Sequence, residues 1–166
     1  MIENKKSSSW TMWISTAGGL GLLPLMPGTW GTFAGVLIHG LGRMIFSSSS
    51  GERFFIGGIM VGIFCVSAIV LPDACRLWNE KDPGKFVLDE VAGYLVVPLL
   101  LGRSLPFWIM AVGGFLLFRF FDIIKPPGAR YMDRRGDFIG VMLDDIVSGV
   151  YAAVSLAVLC YVLELK

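Results

Sequence analysis

The stretch "FFIGGIMVGIFCVSAIVLP", residues 54–72, contains no Lys, Arg, Asp or Glu. A helix needs about 20 apolar residues to cross the hydrocarbon core of a bilayer, and this stretch is close to that length. The rest of the chain is similarly apolar: 55% of its 166 residues are hydrophobic, 16% are charged, and the mean hydropathy is +0.71. A soluble domain carries about 25% charged residues. The sequence therefore predicts a protein embedded in a membrane.

Other apolar segments predict further helices. Together with the first stretch they give helices at 32–46, 54–72, 91–102, 104–118 and 138–163. Another helix or half-helix is expected to end near Leu23. The Gly- and Pro-rich stretch "PLMPGTWG", residues 24–31, is expected to be a loop before a helix starts near Thr32. The predicted fold is one all-α domain over residues 1–166, a compact membrane-embedded helical bundle with some short or interrupted helices.

Charged residues are concentrated in two segments, 73–90 and 119–137. With the predicted spans, both segments lie on the same side of the membrane as the N-terminus. That side carries ten Lys and Arg residues against four on the other side. An excess of basic residues marks the cytoplasmic face, so the charged segments are expected to face the cytoplasm.

The composition argues against several classes of protein. A formal net charge of +1 gives no global field that would recruit nucleic acid. Cys65, Cys75 and Cys160 are widely spaced and form no C-x-x-C pair, which favours buried thiols over a disulfide framework or a zinc site. The single histidine, His39, lies in an apolar stretch and is expected to be a core residue rather than a catalyst.

Carboxylates at the borders between charged and apolar segments are the candidate functional groups. Two pairs stand out, Asp89–Glu90 in "VLDEVAG" and Asp144–Asp145 in "GVMLDDIVSGV". Neighbouring carboxylates in an apolar setting need a cation, a hydrogen-bond network or water, and carboxylates from different helices suit a hard divalent cation such as Mg²⁺. Spacing alone supports equally the alternative that these pairs favour helix N-termini or face solvent at the membrane boundary. The single acidic candidates are Asp82, Asp122 and Asp133.

Side chains suited to a phosphate occur near these carboxylates. In "RFFDIIK", Arg119, Asp122 and Lys125 recur every three residues, which places them on one face of a helix that two prolines end. Arg119 and Lys125 are therefore candidate phosphate ligands, with a local ion pair among the three side chains as the alternative. In "PGTWGT", the hydroxyls of Thr29 and Thr32 and the glycine N–H groups form a type of surface that can hold an anion.

Several of these strings occur together in one known family. The stretches "LPLMPGTWGTFAG", "VLDEVAG" and "FRFFDIIKPPGARYMDRRGDFIGVMLDDIVSGV", in that order, resemble bacterial phosphatidylglycerophosphatase A, and the similarity covers residues 18–153. The resemblance implies an all-helical, Mg²⁺-dependent phosphatase that converts phosphatidylglycerophosphate into phosphatidylglycerol and inorganic phosphate. It also implies a multi-pass protein of the bacterial cytoplasmic (inner) membrane, with the bilayer and this phospholipid as partners and the site facing the cytoplasm.

The family motifs imply roles for the matching residues. Thr29, Thr32, Arg119 and Lys125 are implied to bind the phosphate. The implied catalytic residues are Asp89, Glu90, Asp122, Asp144 and Asp145, of which Asp89, Glu90, Asp144 and Asp145 would hold Mg²⁺. An alternative function is a small membrane ion transporter whose ion site is the carboxylate cluster. Gly-rich faces such as "GGIMVGIF" would suit helix packing within one chain or in an oligomer.

Overall fold

The computed structural model describes residues 3–24 and 26–164, and this part of the chain contains helices, turns and loops but no strand. The all-α prediction is therefore confirmed. The seven helices of the described residues are α1 (Glu3–Ser15), α2 (Pro27–Ile45), α3 (Ser49–Trp78), α4 (Leu88–Leu101), α5 (Phe107–Ile124), α6 (Pro127–Asp133) and α7 (Phe138–Val162). A short 3₁₀ turn, Leu20–Leu22, precedes α2.

Three of the helices, α3, α5 and α7, are long and apolar enough to cross a membrane by length and composition. Each of the five predicted spans overlaps a helix, from α2 to α5 and α7. The helix α4 has only 14 residues and is buried along most of its length, because α2, α3 and α7 pack around it. It is the central helix of the bundle, and its N-terminal turn carries the acidic pair Asp89–Glu90.

The prediction of a loop over residues 24–31 is wrong for residues 27–31, which are helical. The helix α2 begins at Pro27, five residues before the predicted start at Thr32. Proline suits the first position of a helix, because its missing N–H would have no partner there. The preceding residue, Met26, turns the chain into the helix with a left-handed φ of 60°.

The glycines at the start of α2 allow a close approach to α4 rather than forming a loop. A Cβ on Gly28 would lie 2.1 Å from Oε1 of Glu90, and a Cβ on Gly31 would lie 2.8 Å from the carbonyl oxygen of Val87. Side chains at these positions would separate the two helices. The glycines therefore place the N-terminus of α2 against the acidic pair of α4.

A second pair of glycines brings α4 and α7 into contact. A Cβ on Gly149 would lie 2.2 Å from the carbonyl oxygen of Gly93, and a Cβ on Gly93 would lie 2.9 Å from the carbonyl oxygen of Asp145. Small residues at such positions let helix backbones pack closely inside a membrane. This contact sets the separation between the acidic residues of α4 and those of α7.

The opposite end of α4 is held by a buried ionic cluster. The fully buried carboxylate of Glu52 lies 3.2 Å from Nε of Arg43, 2.8 Å from Nε of Arg103 and 3.4 Å from Nε2 of His39. The two arginines also donate to backbone carbonyls of Gly102, Leu105 and the end of α2. His39 is buried as predicted, and the cluster ties α2, α3 and the α4–α5 loop together.

Candidate active site

Three carboxylates converge where the N-terminal turn of α4 meets α7. One oxygen from each of Asp89, Glu90 and Asp145 lies within 4.8 Å of the others. Asp89 and Asp145 are buried, with 8% and 4% of their surface exposed. Ionised carboxylates this close and this poorly hydrated repel one another unless a cation, a hydrogen bond or a proton offsets their charge. We call these three residues the acidic triad.

Local structure accounts for the position of each triad member. The first turn of α4 holds Asp89 and Glu90, where the helix dipole favours negative charge, and the Glu90 N–H donates to Oδ1 of Asp89 at 3.0 Å. The start of α7 is fixed by Asp137, whose carboxylate accepts from the Gly140 N–H at 2.8 Å. Hydrogen bonds from Arg135 and from this N–H lower the pKa of Asp137 to about 2.

Asp144, the fourth predicted metal ligand, has a different partner. Its Oδ2 accepts a hydrogen bond of 2.6 Å from Nζ of Lys125, and it lies outside the acidic triad. Lys125 also donates to Asp133. Burial by itself would lower the pKa of Lys125, but the hydrogen bonds to Asp133 and Asp144 outweigh that effect and raise its pKa. The adjacent aspartates of α7 therefore point to two different partners.

Arg119 lies between the acidic triad and Asp122. Its Nη1 donates to Asp122 and is 3.8 Å from Oε1 of Glu90. The predicted local ion pair is thus confirmed for Arg119 and Asp122. It does not extend to Lys125, because α5 ends at Ile124 and Lys125 turns away with a left-handed φ of 52°.

The N-terminus of α2 forms another wall of the site. A Cβ on Gly28 would be 2.6 Å from Nη1 of Arg119, so the backbone of this turn lies directly against the guanidinium. The next residue, Thr29, is partly buried. The hydroxyl of Thr32 is fully buried and donates to the Gly28 carbonyl at 2.8 Å, inside the helix.

The charges and the hydrogen bonds of the site suit a divalent cation. Arg119 and Asp122 compensate each other, and Lys125 is shared by Asp133 and Asp144. Among the described residues, the basic partner of the acidic triad is Arg119, which lies 3.8 Å from Glu90 and is shared with Asp122. Within the described residues, Oε2 of Glu90 is also a buried oxygen without a hydrogen-bond partner. Converging carboxylate oxygens are the ligands of hard divalent cations, so the triad could hold a metal ion.

Two sets of contacts, one in the site and one at the opposite end of the bundle, are not apparent from the sequence. The contact of Asp133 with Lys125 depends on the fold of α6, and the only sequence signal was an acidic residue eight positions after the lysine. The cluster around Glu52 joins residues from 39 to 103 and had no local signal at all.

Known proteins resemble this chain over most of its length. Residues 13–160 match the family model of phosphatidylglycerophosphatase A. A Haemophilus influenzae protein named phosphatidylglycerophosphatase A is 33% identical over 138 residues, which are 82% of this chain and 80% of the relative. The Escherichia coli protein of the same name is 30% identical over 154 residues, 90% of this chain and 82% of the relative.

A third relative has a different name. A Bacteroides thetaiotaomicron protein named "putative phosphatidylinositol-3-phosphatase" is 30% identical over 159 residues, 96% of this chain and 99% of the relative. No solved structure matches the chain significantly. The family match, the relatives and the three membrane-length helices agree with the resemblance noted in the sequence. The chain belongs to the phosphatidylglycerophosphatase A family and is a membrane phosphatase.

Proposed function

We propose that this protein removes the terminal phosphate of phosphatidylglycerophosphate in a Mg²⁺-dependent reaction. The observation that carries the proposal is the acidic triad, buried beside Arg119 and close to the pair that Asp144 forms with Lys125. Carboxylates for a cation and basic side chains for a phosphate are the two requirements of metal-assisted phosphoryl transfer. Family membership supports the same reaction and this substrate.

The acidic triad would hold the Mg²⁺ ion. Mg²⁺ is usually bound by a few carboxylates while water and substrate phosphate complete its ligands. When bound, the cation would neutralise charge on the phosphate and lower the pKa of a water molecule. The three triad members come from two helices whose separation is fixed by the Gly93–Gly149 contact. The triad is therefore a rigid set of ligands.

Arg119 would bind the phosphate oxygens, because its guanidinium has a buried Nε without a partner among the described residues. Asp122, which accepts from Nη1, would orient that guanidinium. Planar guanidinium groups bind phosphate with two donors at once, so a fixed orientation increases affinity. Asp122 would thus act on the substrate through Arg119.

The start of α2 would contact the same phosphate. Helix N-termini present free N–H groups to anions, and this one lies against Arg119 through Gly28. The partly buried Thr29 would bring its hydroxyl to a phosphate oxygen. Thr32, which donates within the helix, would support the same turn.

Lys125 would supply the second positive charge for the phosphate, and Asp144 would hold it in place. This assigns Asp144 to the lysine rather than to the metal, since its Oδ2 is already 2.6 Å from Nζ. The two adjacent aspartates would then bind different cations. Asp145 would bind the metal ion, and Asp144 would bind the ammonium of Lys125. Neither charge would be left buried without a partner.

The location of the site fits a lipid headgroup. The triad lies at the end of α4 that is opposite the Glu52 cluster, and the predicted spans would put this end on the side with the excess of basic residues. By the positive-inside rule this side would face the cytoplasm of a bacterial inner membrane. Large apolar side chains are exposed along α3, α5 and α7, where lipid would cover them. A substrate could present its phosphate at the interface while its acyl chains remain in the leaflet.

The proposal is tested by phosphate release from purified protein in detergent micelles, with Mg²⁺ and with a chelator. Two lipids are compared, phosphatidylglycerophosphate and phosphatidylinositol 3-phosphate, since a relative is named for the second. We expect Mg²⁺-dependent release with the higher kcat/KM for phosphatidylglycerophosphate. A higher kcat/KM for the inositol lipid would overturn the assignment of phosphatidylglycerophosphate as the substrate. No release from folded protein would overturn the reaction and favour the ion transporter.

A further inference from the structure

We infer that Asp133 occupies the place of the substrate phosphate on Lys125 and thereby weakens the binding of substrate and product phosphate. The inference rests on the proposed function, because it takes Lys125 as a phosphate ligand. Asp133 is the last residue of α6, and its carboxylate accepts a hydrogen bond from Nζ of Lys125. Asp144 accepts from the same nitrogen.

The ammonium of Lys125 is thus shared by two carboxylates in the absence of a phosphate. Partial burial raises the pKa of Asp82 in the α3–α4 loop, and the nearby ammonium of Lys125 opposes that rise. The local charge is therefore negative, and an arriving phosphomonoester would be repelled unless one carboxylate leaves the lysine. A phosphate oxygen can replace a carboxylate oxygen on the ammonium, because both are charged acceptors.

Exposure determines which carboxylate can leave. The side chain of Asp133 is 38% exposed, whereas that of Asp144 is 7% exposed. A freed Asp133 would be hydrated by solvent at small cost, but a freed Asp144 would be a buried charge without a partner. Asp133 is therefore the carboxylate that the phosphate replaces, and Asp144 stays bound to Lys125 throughout.

The fold allows this exchange without moving a helix. The first half of α6 is anchored on α7, since Ala129 is fully buried and a Cβ on Gly128 would lie 3.2 Å from Val147. The last residue of α6 is exposed and precedes a turn with a positive φ at Gly136. A rotation of the Asp133 side chain is enough to release Lys125.

The test compares Asp133→Asn with the wild type in the detergent assay, measuring KM for phosphatidylglycerophosphate and the inhibition constant of inorganic phosphate. An amide cannot compete as a charged acceptor, so we expect both constants to fall about two- to fivefold, the range for one exposed ion pair. Asp133→Glu should restore both constants to near wild type. The matched control is Asp73→Asn, which removes an exposed carboxylate paired with Arg76 on α3.

The direction of the change separates this role from a structural one. If Asp133 only held Lys125 in position, Asp133→Asn would raise KM and the inhibition constant, and either a rise or no change would overturn the inference. Lys125→Gln should raise both constants, which checks the role of the lysine separately. Should the wild type release no phosphate, the proposed function fails. Calorimetric binding of inorganic phosphate to the wild type and Asp133→Asn would then still test the inference.

Discussion

Replacing Gly149 by alanine should disable the site without touching any residue that contacts the substrate. The new Cβ would lie 2.2 Å from the backbone carbonyl oxygen of Gly93, which cannot rotate away as a side chain can. The van der Waals contact distance between carbon and oxygen is roughly 1 Å longer than 2.2 Å. The helix α7 must therefore move away from α4 by about 1 Å. Asp145 lies one turn earlier on the same face of α7 and moves with it.

The structure sets the expected size of both effects. Overpacking of this kind costs about 1–3 kcal/mol, from which the better helix propensity of alanine recovers about 1 kcal/mol. The free energy of unfolding should therefore change by less than about 2 kcal/mol. A displacement of about 1 Å within a catalytic arrangement can lower the rate about 100-fold. Activity should thus fall far more than stability does.

The assay is Mg²⁺-dependent phosphate release in micelles, with thermal unfolding followed in the same detergent. The control is Gly62→Ala on α3, since a Cβ at Gly62 meets no atom within 4 Å. We expect the control to keep its activity and to be slightly more stable, because alanine is the better helix former. Wild-type kcat and Mg²⁺ dependence in Gly149→Ala would refute the view that the α4–α7 contact sets the geometry of the triad.

Three further predictions follow from the site and the far end of the bundle. Asp145→Asn should raise the Mg²⁺ concentration for half-maximal activity at least about tenfold, by loss of a ligand; an unchanged Mg²⁺ titration would contradict this. Asp144→Asn should instead raise KM for the lipid about tenfold with the Mg²⁺ requirement unchanged, because a charge-assisted hydrogen bond to Lys125 is lost. Circular dichroism should show wild-type helical content for both variants. Glu52→Gln should lower the free energy of unfolding by about 3–5 kcal/mol, measured by thermal unfolding, since two arginines lose their buried partner. Equal stability would show that the cluster contributes little.

The helices α2 to α5 and α7 could be predicted from the sequence because the length of an apolar run translates directly into a helix in a membrane. The short helix α6 lies in a charged segment and could not be predicted in this way. The start of α2 could not, since glycine and proline indicate a loop when their neighbours in space are unknown. Pro27 is the first residue of the helix, and Gly28 is where another helix approaches. Glycine and proline therefore occur both in loops and at the starts and close contacts of helices.

The residue types of the site were also evident from the sequence, but their partners were not. Adjacent residues on a helix point about 100° apart, so Asp144 and Asp145 had to face different surroundings. Which of them would meet Lys125 depends on the left-handed turn at the end of α5. Such contacts depend on how distant segments pack together, and the spacing of residues in a single sequence does not reveal that packing.

The central claim is that Asp89, Glu90 and Asp145 hold the divalent cation that the reaction needs. Its most direct test is to count bound Mn²⁺ by electron paramagnetic resonance in purified protein, for the wild type, Asp89→Asn and the control Asp73→Asn, and to measure phosphate release on the same samples. We predict that the wild type and the control bind Mn²⁺ at the triad and release phosphate, while Asp89→Asn loses both. An Asp89→Asn protein that binds Mn²⁺ as the wild type does, or a wild type that is active without any bound metal, would contradict the claim.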